Sequence, residues 1–81
     1  MVKIKFTSTS YRHNEEIVDG NKTIREYLEE KGALMTAQFS INGRIISGGE
    51  LDMTLNDLYT TNIVPVGGTI QLYETAKTTG A

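Results

Sequence analysis

The chain of 81 residues contains no cysteine, no tryptophan, one proline and one histidine. Without thiols it can build no disulfide framework, thiolate metal site, iron–sulfur cluster or cysteine nucleophile. A single histidine, His13, excludes a cluster of histidine ligands. It stands in a polar stretch between Arg12 and Asn14, where a solvated imidazole is the ordinary reading. Long apolar runs are missing too. The longest, Ile63-Val64-Pro65-Val66, is far short of the ~20 residues that span a bilayer. The opening Met1-Val2-Lys3-Ile4-Lys5-Phe6 alternates instead of building the apolar stretch of a signal peptide. Charge of one sign is also scarce: the formal net charge is −2, with six basic and six acidic side chains in residues 1–31 and two and four in residues 32–81. Tyr11, Tyr59 and Tyr73 therefore lack the clustered Arg and Lys that would make them a base-stacking platform, and nucleic acid is not an expected partner. We expect a soluble, cytoplasmic monomer that does not enter a membrane.

What is present suffices for one small core, with 38% apolar and 22% charged residues. Val2, Ile4 and Phe6 alternate with Lys3 and Lys5, the period of a strand with one wet face. Residues 7–14 are polar and loop-like, and residues 15–19 offer a short second strand that closes a hairpin with the first. Thr23-Ile24-Arg25-Glu26 fits a capping box, followed by Tyr27 and Leu28 on the same helical stripe as Ile24. Gly32 stands where a left-handed residue would end that helix. Residues 38–41 alternate as a strand, Asn42-Gly43 is a two-residue hairpin signal, and residues 44–46 return. Ser47-Gly48-Gly49 breaks that strand. Residues 54–58 predict one capped helical turn, and residues 69–73 a last strand. The order predicts an α+β domain over residues 1–74, a mixed sheet of four to five strands folded over one helix. Residues 75–81 are expected to be a flexible tail. The expected core is Ile4, Phe6, Ile17, Ile24, Leu28, Phe39, Ile41, Leu51, Leu55, Leu58, Ile70 and Leu72.

These pieces, in this order, resemble the β-grasp family of ubiquitin and the bacterial sulfur carriers of thiamine and molybdopterin synthesis. Residues 2–6 look like its opening strand, residues 19–28 like the approach to its helix, and residues 38–46 like ubiquitin's middle hairpin. Residues 54–58 look like the turn that follows, and residues 70–73 like the final strand. Residues 64–70 also look like the ubiquitin-like components of bacterial type VII secretion. The ferredoxin branch of this fold, which needs four cysteines, is closed.

The resemblance implies a non-enzymatic protein that acts through protein partners. In the carriers and modifiers the working atom is the C-terminal carboxylate, which an adenylating enzyme activates for attack by sulfur. Carried onto this chain, removal of Ala81 by a processing peptidase would expose Gly80, with Thr78 and Thr79 in the threading tail. The family ends in Gly-Gly, whereas this chain ends Thr78-Thr79-Gly80-Ala81. Extended, the seven residues 75–81 reach about 25 Å; an ordinary frayed terminus is the alternative. The adaptor alternative places the contact on the outer sheet face, at Gln38, Ser40, Gln71 and Tyr73 with Arg44 beside them; an ordinary wet face is the plainer reading. Glu15-Glu16 and Glu29-Glu30 read as charged exteriors, and Gly48-Gly49 and Gly67-Gly68 as turns. No catalytic residue, metal or cofactor is expected.

Overall fold

A computed structural model describes residues 1–8, 15–33 and 37–75. In chain order these form β1 (Val2–Thr7), β2 (Glu16–Val18), α1 (Ile24–Glu30), β3 (Gln38–Ile41), β4 (Arg44–Ile46), a 3-10 turn (Gly48–Asp52), α2 (Leu55–Thr60) and β5 (Ile70–Thr75). The strands make one sheet in the order β2-β1-β5-β3-β4. β1 and β5 run parallel at its centre, with Ile4 opposite Ile70 and Phe6 opposite Leu72. The other three pairings are antiparallel. With α1 packed against one face, this is a mixed-sheet α+β fold of β-grasp-like topology.

The β3–β4 turn and both helix starts have local causes. At the β3–β4 turn, Asn42 and Gly43 both have positive φ, 51° and 86°, the primed geometry whose twist matches paired strands. That turn sets Ile41 opposite Arg44 and Ser40 opposite Ile45. Thr23 caps α1 reciprocally: its hydroxyl accepts from the Glu26 N–H at 3.0 Å, and its own N–H donates to the Glu26 carboxylate at 2.9 Å. Thr54 and Asp57 repeat the device at α2, at 3.2 and 3.0 Å.

The two helix starts also satisfy one another. The Ile24 N–H donates to the Met53 carbonyl at 3.0 Å, and the Leu55 N–H to the Lys22 carbonyl at 2.9 Å. Amides at a helix start have no partner inside their own helix, so this exchange removes a burial penalty at both. Beside it the Asn56 N–H donates to the Gly20 carbonyl at 2.9 Å. Gly20 is buried there, and a Cβ on it would run into the Asn56 side chain.

The core joins the inner face of the sheet to Ile24, Tyr27 and Leu28 of α1 and to Leu51, Leu55, Leu58 and Val64. Tyr27 meets Phe6 edge to face, with ring centroids 6.3 Å apart. Of the expected core residues Ile17 is the exception, at 62% exposed. Its register is the reason: Val18 lies opposite Val2, whose side chain is buried, so Ile17, opposite Lys3, faces out. Val2, Tyr27, Ile46 and Val64 are buried in addition. The segment after β4 winds into the 3-10 turn, Ser47 and Glu50 forming its box. β5 continues through Thr75, paired with Gln38. The remainder of the expected tail, residues 76–81, lies outside the described residues, as does His13.

Ile17→Ala and Ile70→Ala should separate cleanly in urea unfolding. The first should cost less than about 0.5 kcal/mol, as an exposed site does. The second should cost about 2–5 kcal/mol, because the cavity lies beneath the central pair.

Candidate functional site

One face of the sheet lies under the helix, and the other carries exposed side chains. Residues that alternate with the core point to that outer face. They are Lys3, Lys5 and Thr7 on β1, Ile17 on β2, Gln38 and Ser40 on β3, and Gln71 and Tyr73 on β5. Register aligns them into rows. Tyr73 stands between Thr7 and Ser40, and Ser40 stands opposite Ile45 of β4. One row across four strands therefore reads Ile45, Ser40, Tyr73, Thr7.

Apolar area on this face comes from Ile45, 63% exposed, and Tyr73, 41% exposed, separated by the small Ser40, and from Ile17, 62% exposed, on edge strand β2. The Tyr73 hydroxyl donates to the Gln71 side-chain oxygen at 3.2 Å, which holds the ring along β5. Lys5 lies opposite Gln71 in the adjoining row. Lys3 and Lys5 enter none of the ion pairs among the described residues, so the β1 side of the face has free cationic charge. Next to it, the Thr69 hydroxyl donates to the Glu15 carboxylate at 3.3 Å, joining the approaches to β5 and β2.

Of the residues that the sequence points to, Gln38, Ser40, Gln71 and Tyr73 do share this face. Arg44 does not. It stands opposite the buried Ile41, so its side chain leaves from the helix side of the sheet, and its guanidinium donates to the Glu50 carboxylate at 3.1 Å. Its neighbour Ile45 takes the outward place, and sequence reasoning missed it. The signal was the Asn42-Gly43 turn itself, since a two-residue turn after Ile41 puts Arg44 inward and Ile45 outward. Gly80, Thr78, Thr79 and Ala81 lie outside the described residues.

The remaining polar groups hold the scaffold around the face. Lys31 pairs with Glu16 at 2.8 Å and lies 5.4 Å from the centre of the Tyr27 ring, which ties edge strand β2 to the end of α1. Arg25 holds the 3-10 turn through Asp52 at 3.0 Å. The Tyr59 hydroxyl donates to the Gly68 carbonyl at 2.7 Å, and burial pushes its phenol pKa up. Among the described residues, no three His, Asp or Glu side chains gather as metal ligands, and no helix is long and apolar enough to cross a membrane. No family model matches the chain, and no curated protein matches it.

Glu50 supplies a pH test of the site's frame. The Ser47 backbone N–H and then the Ser47 hydroxyl hold its carboxyl below the ordinary value of 4.5, with a smaller contribution from Arg44. A depressed native pKa contributes stability above the unfolded value, which is lost as pH falls through the folded value. Glu50→Gln should therefore lower the urea midpoint at neutral pH. The difference from the parent chain should shrink as pH drops below about 4.5. A gap that widens toward acid would contradict the assignment.

Proposed function

We propose that this is a non-enzymatic, ubiquitin-like protein that acts by docking on protein partners, with the outer face of its sheet as the contact surface. The observation behind this reading is the row that sets exposed Ile45 and Tyr73 either side of Ser40. Small polar Ser40 leaves a shallow seat between an aliphatic residue and a tyrosine, the latter a residue type on which interface energy concentrates. Lys5, opposite Gln71 in the adjoining row, and Lys3 beyond it on β1 put cationic charge to one side of the seat and favour a partner with acidic residues beside its apolar contact. The β-grasp-like topology supports the ubiquitin-like part of the reading, since it leaves this face uncovered by any described element.

A photo-crosslinking side chain at position 73, compared with one at exposed Thr60 on α2, tests the surface in extract of the native host. A discrete adduct is expected from position 73 and none from 60. Ile45→Ala should weaken capture by about tenfold, the loss of roughly one well-seated side chain. Equal adducts from both positions would remove the face from consideration.

The same proposal includes activation at the C-terminus, with Gly80 as acyl residue once Ala81 is removed. What favours it is the sequence after β5: apart from Lys77, residues 76–81 are all small, which suits threading into a narrow channel. An adenylating enzyme and a peptidase would be the partners. Intact-mass measurement of protein from the native host should find a chain ending at Gly80, free, conjugated or as a thiocarboxylate. Recovery of nothing but unmodified chain ending at Ala81 would end this part of the proposal and leave the docking face standing.

A further inference from the structure

We propose that Asn42 is a site of spontaneous covalent modification, imide formation with Gly43, and that the native hairpin restrains the reaction through the bonds Asn42 makes to Gln71. The chain has five asparagines, Asn14, Asn21, Asn42, Asn56 and Asn62. The reaction needs the backbone nitrogen of the following residue to reach the asparagine Cγ, and a side chain on that residue obstructs the approach. The followers are Glu15, Lys22, Gly43, Asp57 and Ile63. Gly43 alone has no Cβ, and Asn42 is exposed to the hydroxide that promotes the chemistry and the water that it consumes.

The steps balance with water as co-reactant. Hydroxide removes the Gly43 amide proton, and the nitrogen attacks Asn42 Cγ. The new N–Cγ bond forms as the Cγ–Nδ2 bond breaks, and Nδ2 leaves as ammonia after taking a proton from water. A second water then opens the five-membered imide at either carbonyl. One opening gives aspartate, and the other gives isoaspartate, whose backbone runs through the former side chain.

The native turn opposes the first step. The Asn42 N–H donates to the Gln71 carbonyl at 3.0 Å, and the Gln71 N–H donates to Asn42 Oδ1 at 2.9 Å. These two bonds hold both the backbone and the side-chain amide of Asn42 against β5. Ring closure requires Cγ to swing onto the Gly43 nitrogen and the peptide between them to rotate, so the Oδ1 bond must be given up first. Positive φ at both residues keeps the turn in its primed form, which the paired strands reinforce.

The two products differ in what they do to the docking face. Aspartate keeps an oxygen for the Gln71 N–H, now as a charged acceptor. Isoaspartate adds a backbone atom to a two-residue turn, which breaks the register that sets Ile45 opposite Ser40. Modification at Asn42 thus acts on the rim of the sheet surface without touching its side chains.

The test follows the full-length chain in warm, mildly alkaline buffer, native and in urea above its unfolding midpoint. Mass spectrometry of the tryptic peptides, the one ending at Arg44 for Asn42 and the others for the remaining asparagines, reads amide-to-acid conversion, and chromatography resolves the two products. In urea, Asn42 should convert ahead of the other four asparagines, and Gly43→Ala should slow it. Native conversion should be slower than unfolded by roughly tenfold or more, because it must wait for local opening. A smaller native-to-unfolded difference overturns the restraint. Earlier conversion of another asparagine in urea, or no effect of Gly43→Ala there, overturns the site.

Discussion

The fold turns on the parallel pairing of β1 with β5. Parallel neighbours need a long crossover between them, and here everything from the end of β1 to the start of β5 serves as that crossover. Ile4 against Ile70 and Phe6 against Leu72 bring opposite ends of the chain into one pair, with all four side chains buried. Such contacts are costly to form, because the intervening chain must be ordered before they exist. Once made, they place β5 in the middle of the sheet, where it templates β3 on its other side.

The crossover needs its own restraint, and the exchanged amides at the starts of α1 and α2 provide it. Two short helices, each unstable alone, share a junction in which neither leaves its first amide unpaired. Buried Gly20 permits the close approach of Asn56 beside that junction. Lys31 on Glu16, and Arg25 on Asp52, then fasten the helix end and the 3-10 turn at the margins. These outer ion pairs are partly or largely exposed and add little energy individually, so they fix position more than they stabilise.

The outer face follows from the same arrangement. With α1 against one side, the alternate residues of five strands are left facing out, and register decides which become neighbours. Tyr73, Ser40, Gln71 and Gln38 were legible as outward from alternation alone, because β3 and β5 alternate without ambiguity. Ile45 was not: Arg44-Ile45-Ile46 has two adjacent isoleucines, and either could have been the inward one. The geometry of the Asn42-Gly43 turn resolves that choice and turns Arg44 toward Glu50 at the same time. The cationic character of the β1 side also depended on structure, since only there do Lys3 and Lys5 fall outside the ion pairs of the described residues.

By itself the sequence determined the local elements of this protein. The Thr23–Glu26 box, the Asn42-Gly43 turn and the alternation in β1, β3 and β5 each encode their structure within a few residues. It also excluded thiol chemistry and a histidine cluster by composition. Among the described residues, tertiary structure decided the facing of Ile17 against Val18 and of Val64 within Ile63-Val64-Pro65-Val66, whereas the Asn42-Gly43 turn carried the choice between Ile45 and Ile46. The physical reason is the two-residue period of a strand, in which a shift of one residue exchanges inside for outside. For Val64 it is the bond from its N–H to the Leu58 carbonyl at 2.9 Å, which turns this residue under α2 and leaves Val66 in solvent. For Ile17 and Val18 the deciding partner is β1, a separate strand, and nothing within β2 itself distinguishes the two.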